Sequence, residues 1–529
     1  MHANIHYRID SSSAFGHVFQ VQLRIKQPDP SGQVLRLPLW IPGSYLIRDF
    51  ARHIMHFEAK AADGKRVAYE RLDKTSWQLE PVEGELFCEY TVYAYDTSVR
   101  TAYLDQARGF FNGTSLCLEV VGQSDQPHSV ELLKPEAEFA KNWQVATTLP
   151  AMQVDDQGFG LYQTKNYLSL IDFPVEMAEM ERAQFVVDGK PHEIVFTGIK
   201  GVDVERIAKD LTPICQWHCD LFGGFPADKY LFITRVEHGG YGGLEHMDST
   251  MLLCSPEDLA LIGESMNSTE LKDSYINFLG LCSHEYFHLW NVKRMRPSAF
   301  IPYDLSRANY TDALWFFEGM TSYYDDLSLV KTGTISVNKY LDLLAKNISR
   351  VNRTLAQEKQ SVTESSFEAW SKFYQQDENA PNAVVSYYAK GAMIALMLDL
   401  SIRKATGSQS SLDDVMQTMW QRYLNGDAVD TGDVIEAVNN IAGPEVADRL
   451  SRALFQAERL EIDDLVSVVG LAMKARGAVS FSDKGGRTPL PAMPVQLGVD
   501  LYEEAGKVKI RFCYEGEAAM EAGLSAGDE

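Results

Sequence analysis

The pentad His284-Glu-Tyr-Phe-His288 constrains this chain more than any other part of its sequence. In a helix, residues four apart lie one turn apart on a common face, so His284 and His288 can direct two imidazoles towards one point. Two nitrogens placed in this way can share a tetrahedral zinc ion, while Glu285 points beside the metal at its water. Because a chain of this length shows the pattern by chance in about one case in fifty, the surrounding sequence has to decide.

The surrounding sequence has the periodicity of a helix, which we predict from Leu271 to Val292. One face of this helix carries an apolar stripe, which consists of Tyr275, Phe278, Leu279, Cys282, Tyr286 and Leu289. Neither histidine belongs to this stripe. The helical context therefore favours a zinc site over a chance match.

A third ligand is needed, because a catalytic zinc site keeps three protein ligands and one open position. Glu318 is the best candidate, since it lies in the apolar stretch Trp315 to Met320, where a buried carboxylate without a cation would be costly. The thirty residues between His288 and Glu318 are enough for a loop and an antiparallel return. We predict one zinc ion per chain, held by His284, His288 and Glu318.

Length and composition predict a multidomain protein, because 529 residues are too many for one hydrophobic core. A net charge of −24 argues against unaided binding of nucleic acid or anionic membranes. The longest apolar runs are too short to span a bilayer, and the first residues lack the apolar core of an export signal. Seven scattered cysteines do not suggest a disulfide framework, so we expect a cytoplasmic protein. The group Cys215, His218 and Cys219 has no standard zinc spacing and is interpreted as structural.

The order of sequence patterns predicts an α+β chain of three parts. Short alternating runs, for example Val18–Ile25 and Ser115–Val121, predict an all-β domain over residues 1–175. For residues 176–476 we predict a catalytic domain, with an α+β lobe to about residue 268 and a helical lobe after it. That helical lobe includes predicted helices over residues 312–331 and 386–405. Residues 477–529 are predicted to be a linker followed by β-rich sequence.

Two longer stretches resemble the glycyl aminopeptidase family, PDZ-bearing relatives of aminopeptidase N. One runs from His284 to Pro297 and continues at Phe317-Glu-Gly-Met-Thr-Ser-Tyr-Tyr324; the other is Leu37-Pro-Leu-Trp-Ile-Pro-Gly-Ser-Tyr-Leu-Ile-Arg-Asp-Phe-Ala51. The resemblance covers almost the whole chain. It implies a thermolysin-like zinc metallopeptidase domain of the gluzincin kind, which cleaves residues, typically Gly or Ala, from peptide N-termini.

The resemblance also assigns a substrate-binding strand. Gly239-Gly-Tyr-Gly-Gly-Leu-Glu-His246 is similar to the Gly-x-Met-Glu-Asn motif of aminopeptidase N, with Leu244 and His246 in place of Met and Asn. It implies that Glu245 binds the α-amino group of the substrate. An exopeptidase needs such an anion at a fixed distance from the metal, and Gly242 and Gly243 allow the substrate backbone to approach.

A second motif of the same relative assigns an oxyanion donor. Ser386-Tyr-Tyr-Ala-Lys-Gly-Ala-Met393 is similar to the Tyr-x-Lys-Gly segment, and the matching tyrosine is Tyr388, with the adjacent Tyr387 as the alternative. Either tyrosine could instead be a packing aromatic. Candidates for hydrogen bonds to the second nitrogen of each histidine are Ser322, Asp325 and Asp326.

The C-terminal stretch resembles the first part of a PDZ domain. Gln496-Leu-Gly-Val499 is similar to the loop with which such domains bind a peptide carboxylate through backbone amides. We expect this region to be incomplete, because the chain ends where the next strand should begin, and we expect a C-terminal peptide ligand only of a complete domain.

The sequence thus predicts a zinc aminopeptidase acting on peptides with a free N-terminus, with Glu285 and Tyr388 as catalytic residues. One alternative is a zinc endopeptidase or another hydrolase with the same zinc site. An alternative of another class is a PDZ-type scaffold with weak catalysis.

Overall fold

The structure is a computed structural model that describes residues 3–264 and 271–529. The chain divides into two compact units. The first comprises Met1–Gln216, Phe225–Leu289 and Asp304–Ala308, and the second comprises Trp217–Gly224, Trp290–Tyr303 and Asn309–Glu529. The predicted boundary at about residue 268 lies outside the described residues.

The N-terminal part of the first unit is built mainly of short strands. They are β1 Ile5–Ser13, β2 Val18–Ile25, β3 Val34–Arg36, β4 Ile54–Ala61, β5 Tyr69–Arg71, β6 Ser76–Leu79, β7 Leu86–Tyr93, β8 Ala102–Leu104, β9 Arg108–Phe111, β10 Glu119–Val120, β11 His128–Leu133, β12 Gln144–Ala146, β13 Ala151–Val154, β14 Gly160–Thr164 and β15 Val175–Ala178. The region is β-rich rather than all-β, because two short helices, α1 Gly113–Leu116 and α2 Tyr167–Leu170, interrupt it.

These strands form three sheets. The largest has the order β13-β14-β11-β1-β2-β7-β4, and two four-stranded sheets have the orders β10-β3-β6-β5 and β12-β15-β9-β8. Strand β2 shows why the sequence forms such a sheet: Phe19, Val21, Leu23 and Ile25 alternate with more exposed residues, so one face is buried.

The segment Ser115–Val121, predicted as a strand, is instead the end of α1 followed by the two-residue strand β10. Three buried tyrosine hydroxyls donate to successive carbonyls here: Tyr90 to Leu116 at 2.7 Å, Tyr167 to Cys117 at 2.7 Å, and Tyr7 to Leu118 at 2.6 Å. Side chains thus satisfy backbone groups that a strand would pair with a neighbouring strand. The pattern of apolar residues in this segment could not distinguish the two arrangements.

The rest of the first unit adds a five-stranded sheet and two helices. They are β16 Glu181–Val187, β17 Lys190–Thr197, α3 Val204–Phe222, which continues into the second unit, β18 Tyr230–Val236, β19 Gly242–Glu245, β20 Ser249–Cys254 and α4 Asp273–Phe287. The sheet order is β16-β17-β18-β20-β19. Central strand β18 is buried at every position, as expected for a strand with parallel neighbours. Strand β19 lies at the edge and runs antiparallel to β20.

Helix α4 packs against β19 and β20, and its stripe residues Phe278 and Tyr286 contact aromatic side chains of β17 and β18. All six predicted stripe residues are essentially inaccessible. The helix ends at Phe287 rather than at Val292, because a tight loop follows. In this loop Val292 has a φ of 93° and its N–H donates to the Met295 carbonyl at 3.0 Å. Buried residues in the loop continued the apolar pattern and made the helix look longer than it is.

The second unit is mainly helical. Its α-helices are α5 Thr321–Lys331, α6 Val337–Asn352, α7 Val362–Phe367, α8 Ala380–Ala383, α9 Ala389–Thr406, α10 Leu412–Leu424, α11 Thr431–Ala442, α12 Pro444–Phe455 and α13 Asp463–Val466. The predicted helix over residues 386–405 corresponds to α9. The predicted helix over residues 312–331 is α5, preceded by a turn of π-helix over Trp315–Met320.

The C-terminal region contains a hairpin, β21 Val499–Glu504 with β22 Lys507–Cys513, and the short helix α14 Ala518–Glu521. Its buried residues form a small cluster of Val499, Ile510, Cys513 and Ala519. Between residues 470 and 498 the described chain has neither helix nor strand. Among residues 3–264 and 271–529, no helix combines the length and apolar character needed to cross a membrane.

Candidate active site

The two histidines of the pentad direct their Nε2 atoms towards each other. His284 lies in the last turn of α4, and His288 directly follows the helix with φ and ψ of −59° and −18°, which are still helical. The two Nε2 atoms are 3.2 Å apart, and the rings stand at 85° to one another. Two nitrogens bound to one tetrahedral zinc are separated by about 3.3 Å. The donor atoms therefore fit a shared zinc ion in chemistry and in spacing.

Glu285 is buried beside the edge strand β19, with 5% of its surface exposed. The Gly243 backbone lies directly on this side chain: a Cβ built on Gly243 would be 2.5 Å from Cδ and 2.7 Å from Cγ of Glu285. No larger residue than glycine fits at this position. Arg100 donates to the Gly243 carbonyl at 3.1 Å, so a loop of the N-terminal region holds the strand in place.

Glu245 lies at the end of the same strand and is buried, with 4% of its surface exposed. Its Oε1 atom has no hydrogen-bond partner within the described residues. One ligand atom each from Glu245, Glu285 and His288 lie within 4.8 Å of one another. The first unit therefore brings the predicted amine-binding carboxylate, the predicted base and one predicted zinc ligand into a single cluster. An unpartnered carboxylate here suits a cationic group of a ligand.

The end of α4 is fixed to the sheet by polar contacts next to these residues. The Tyr230 hydroxyl donates to the Glu285 carbonyl at 3.3 Å, and the Tyr286 hydroxyl lies 2.9 Å from His192 Nε2. His192 Nδ1 lies 3.1 Å from the Lys190 carbonyl, so His192 carries its proton on Nδ1 and accepts from Tyr286. Burial lowers the pKa of His192 to about 4, which keeps the ring neutral.

Glu318 belongs to the second unit, where it is buried in the π-helical turn with 2% of its surface exposed. Such a turn leaves carbonyls without their usual α-helical partners. The buried Asn291 side chain donates to two of them, Phe316 and Phe317, at 3.1 Å each, and to the Thr321 hydroxyl at 3.2 Å. One amide group therefore stabilises the turn from which Glu318 projects.

A pair of glycines brings α9 against this turn. A Cβ built on Gly319 would lie 2.5 Å from Cα of Gly391, and one built on Gly391 would lie 2.8 Å from Cα of Gly319. The backbones therefore touch directly where Glu318 and Lys390 precede the two glycines. This contact fixes Glu318 relative to the beginning of α9.

Tyr387 and Tyr388 stand at the beginning of α9, with ring centroids 4.8 Å apart. Tyr387 is fully buried, whereas Tyr388 is half-buried. Burial, followed by the charges of Tyr374 and Glu318, raises the pKa of Tyr387 well above its usual value. Tyr387 is thus a neutral phenol influenced by Glu318, and the second unit brings Glu318 and the two candidate tyrosines into one region.

The remaining residues that the sequence analysis named are the candidate partners of the histidines and the group around His218. Ser322, Asp325 and Asp326 lie on α5, and their contact with the histidines stays a prediction. His218 is buried on α3, and burial lowers its pKa to about 3. In the described part of the chain, Cys215, His218 and Cys219 do not form a group of closely spaced potential metal ligands.

Four residues that contact or adjoin predicted site residues were not singled out from the sequence: Gly43, Asn291, Gly319 and Gly391. All lie inside stretches that carried the family resemblance. Only their position in these stretches could have pointed to them, since contacts between distant segments cannot be derived from spacing along the chain.

Comparison with known families gives two sequence matches. The Peptidase M61 N-terminal domain matches residues 6–179, and M61 glycyl aminopeptidase matches residues 277–394. Together the two matches cover more than half of the chain. No match was found among curated proteins.

Comparison with solved structures gives strong and weaker similarities. An aminopeptidase N family protein from Idiomarina loihiensis is 42% identical, with a TM-score of 0.95 over 99% of this chain and 88% of that chain. An M1 zinc metallopeptidase from Deinococcus radiodurans is 14% identical, with a TM-score of 0.51 over 87% of this chain and 95% of that chain. A mutant of that enzyme bound to a Tyr-Ser-Ala substrate is 13% identical, with a TM-score of 0.50 and the same coverage of both chains. The last two show similarity of fold.

Proposed function

Because this chain belongs to the M61 glycyl aminopeptidase family of metallopeptidases, we propose that it is a zinc-dependent aminopeptidase that removes N-terminal residues from peptides. The observation that carries the proposal is the 3.2 Å separation of the His284 and His288 Nε2 atoms, beside two buried carboxylates. The metallopeptidase class follows from the family, whereas the metal and the exopeptidase activity are proposals.

We propose His284, His288 and Glu318 as the ligands of one zinc ion per chain. The neutral nitrogens of two histidines and one carboxylate are the donor set of many catalytic zinc sites. The burial of Glu318 in an apolar turn supports the assignment, because a carboxylate in such a place is stabilised by a cation. When bound, zinc would polarise the scissile carbonyl and lower the pKa of the attacking water.

Glu285 is proposed as the general base. Its carboxylate accepts a proton from the attacking water and returns it to the leaving amine. The Gly243 backbone lies directly against this side chain, and glycine is what leaves room for it. A neutral phenol, from Tyr388 or from Tyr387, donates a hydrogen bond to the oxyanion that forms as the carbonyl is attacked. The raised pKa of Tyr387 supports a protonated donor.

Glu245 is proposed to pair with the α-ammonium group of the substrate, with Gly242 and Gly243 next to the substrate backbone. Its buried oxygen without a partner supports this role. Because Glu245 lies close to Glu285, the paired ammonium would fix the first peptide bond at the reacting position, so that one residue is removed. We also propose a preference for Gly or Ala at the N-terminus, which the family resemblance supports.

The finer organisation is also proposed. We propose the domain limits 1–175, 176–476 and 477–529, with a PDZ-like region within the last of them. The separate small core of the β21–β22 hairpin and α14 supports an independent module. The seven cysteines all lie in described parts of the chain and form no disulfide, which is compatible with the proposed cytoplasmic location.

The proposal is tested by hydrolysis of a panel of amino-acid 4-nitroanilides and of the matching N-acetylated compounds, before and after chelation and zinc restoration. Cleavage of the free-amine Gly or Ala members alone, lost with the chelator and recovered with zinc, is the expected result. Cleavage of blocked compounds would instead indicate an endopeptidase. Absence of cleavage by zinc-loaded protein would favour another substrate or a scaffold.

A further inference from the structure

We infer that Gly43, in the tight turn Ile41–Ser44 of the N-terminal β-rich region, is a positioning residue for Glu245. The inference rests on the proposed function, in which Glu245 binds the substrate ammonium. It gives the stretch Leu37–Ala51, prominent in sequence and far from the zinc motif along the chain, a role in recognition of the substrate N-terminus.

The turn has a defined geometry. The Ser44 N–H donates to the Ile41 carbonyl at 3.0 Å, and the two residues form an isolated bridge. Pro42 and Gly43 occupy the central positions, and Gly43 has a φ of 92°. Proline followed by a residue with positive φ is the pattern of a type II turn, in which glycine is strongly favoured. The backbone conformation alone therefore favours glycine at residue 43.

A second and independent requirement comes from Glu245. A Cβ built on Gly43 would lie 2.7 Å from both Cδ and Oε2 of Glu245, and Oε1 would be closer still. The whole carboxylate therefore lies against the Cα of Gly43. Both residues belong to the first unit. Any side chain at residue 43 would have to displace the carboxylate or the turn.

Packing is what holds this carboxylate in place. Within residues 3–264 and 271–529, the Glu245 side chain makes no hydrogen bond and no ion pair, and its Oε1 atom is buried without a partner. A group held only by packing shifts when the surface against it changes. Since the strength of a charge-assisted hydrogen bond depends on distance and direction, a shift of Glu245 weakens its pairing with an ammonium group.

The matched experiment compares Gly43→Ala with Gly64→Ala. Gly64 also lies in a turn of the N-terminal region, has a φ of 82°, and a Cβ there would contact nothing within 4 Å. Both variants therefore carry similar backbone strain, and only Gly43→Ala disturbs Glu245. The probes are glycine hydroxamate and acetohydroxamate, a pair of zinc-binding compounds that differ by one amino group.

Dissociation constants for both probes are measured by calorimetry on zinc-loaded protein, so the result does not depend on turnover. We expect wild type and Gly64→Ala to prefer glycine hydroxamate by the same factor. In Gly43→Ala this factor should fall by at least about tenfold, while the affinity for acetohydroxamate stays unchanged. An unchanged preference in Gly43→Ala overturns the inference, as does an equal loss in Gly64→Ala.

Two further variants separate the possible failures. Glu245→Gln should lose the preference for the amino compound; if it does not, the amine role of Glu245 is wrong and the inference falls with it. If Glu245→Gln loses the preference and Gly43→Ala keeps it, only the inference is wrong.

Folding of Gly43→Ala is controlled by a double variant. If Gly43→Ala does not fold, Gly43→Ala/Glu245→Ala should fold again, because removing the carboxylate makes room for the methyl group. Failure of the double variant to fold would place the defect in the turn itself and contradict the inference.

Discussion

Glu285 is the residue whose replacement best separates metal binding from proton transfer. Glu285→Gln keeps the size of the side chain but cannot accept a proton, so zinc content should stay at one per chain. Turnover should fall by about 10³-fold, since general bases typically contribute 10²–10⁴-fold. The measurements are metal analysis and steady-state kinetics on the same preparation. A variant with near wild-type turnover would exclude Glu285 as the base.

The two adjacent tyrosines can be distinguished by single hydroxyl deletions. The sequence motif assigns the oxyanion donor to Tyr388, whereas Tyr387 is the more buried phenol and is influenced by Glu318. We expect Tyr388→Phe to lower kcat by about 10²-fold with little change in KM, as for loss of an oxyanion donor. If Tyr387→Phe has this effect and Tyr388→Phe does not, the assignment moves to Tyr387. If neither changes kcat, no tyrosine of this pair donates to the oxyanion.

The contact between the π-helical turn and α9 predicts a structural effect on metal binding. In Gly391→Ala the new methyl group would lie 2.8 Å from Cα of Gly319 and 2.9 Å from the Trp315 carbonyl. Overpacking of this kind costs roughly 1–3 kcal/mol of stability. Because Gly319 follows Glu318, zinc affinity should also fall by about tenfold or more. Competition with a fluorescent chelator, together with thermal unfolding, measures both effects.

Gly432 provides the matched control. It lies in the first turn of α11, where a Cβ would contact nothing within 4 Å. Gly432→Ala should leave zinc affinity unchanged and raise stability by up to about 1 kcal/mol, because alanine favours a helix more than glycine does. Unchanged zinc affinity in Gly391→Ala would show that the glycine contact does not position Glu318.

The elements themselves were predictable to different degrees. Strands β2 and β18 and helices α4 and α9 follow from alternation and helical periodicity, because each buries one face or is wholly buried. Their exact ends do not follow, as α4 shows, since apolar residues of the next loop continue its pattern. The prediction of a strand over Ser115–Val121 was wrong. Three carbonyls of this segment accept hydrogen bonds from tyrosine hydroxyls that are remote in sequence, those of Tyr7, Tyr90 and Tyr167.

The residues of the candidate site also differ in how far the sequence could predict them. The histidine pair and Glu285 follow from local spacing in one helix, which the geometry of α4 reproduces. Glu245 and Tyr388 came from resemblance to known motifs. The roles of Gly43 and Asn291 depend on contacts between segments far apart in the chain, so no pattern within one sequence contains them.

Stability of the first unit should depend on pH through His192. The pKa of this buried ring is about 4 in the folded state and 6.5 in the unfolded chain. Below pH 6.5 the unfolded chain therefore binds a proton that the folded protein does not, and stability is lost as pH falls from 6.5 to 4. The loss is roughly 2 kcal/mol at pH 5. Urea unfolding followed at pH 7 and pH 5 measures it.

His192→Gln is the comparison variant, since glutamine does not titrate. Its stability should fall less than that of wild type over the same interval. Equal losses in both proteins would mean that His192 is not responsible for the acid sensitivity.

The most direct test of the account is an anomalous difference map from a crystal of the zinc-loaded protein, recorded on both sides of the zinc absorption edge. The account predicts one strong peak per chain, bonded to Nε2 of His284 and of His288 and to a carboxylate oxygen of Glu318. A peak without Glu318, a peak at Cys215, His218 and Cys219, or no peak in fully loaded protein would contradict the proposed zinc site and the mechanism built on it.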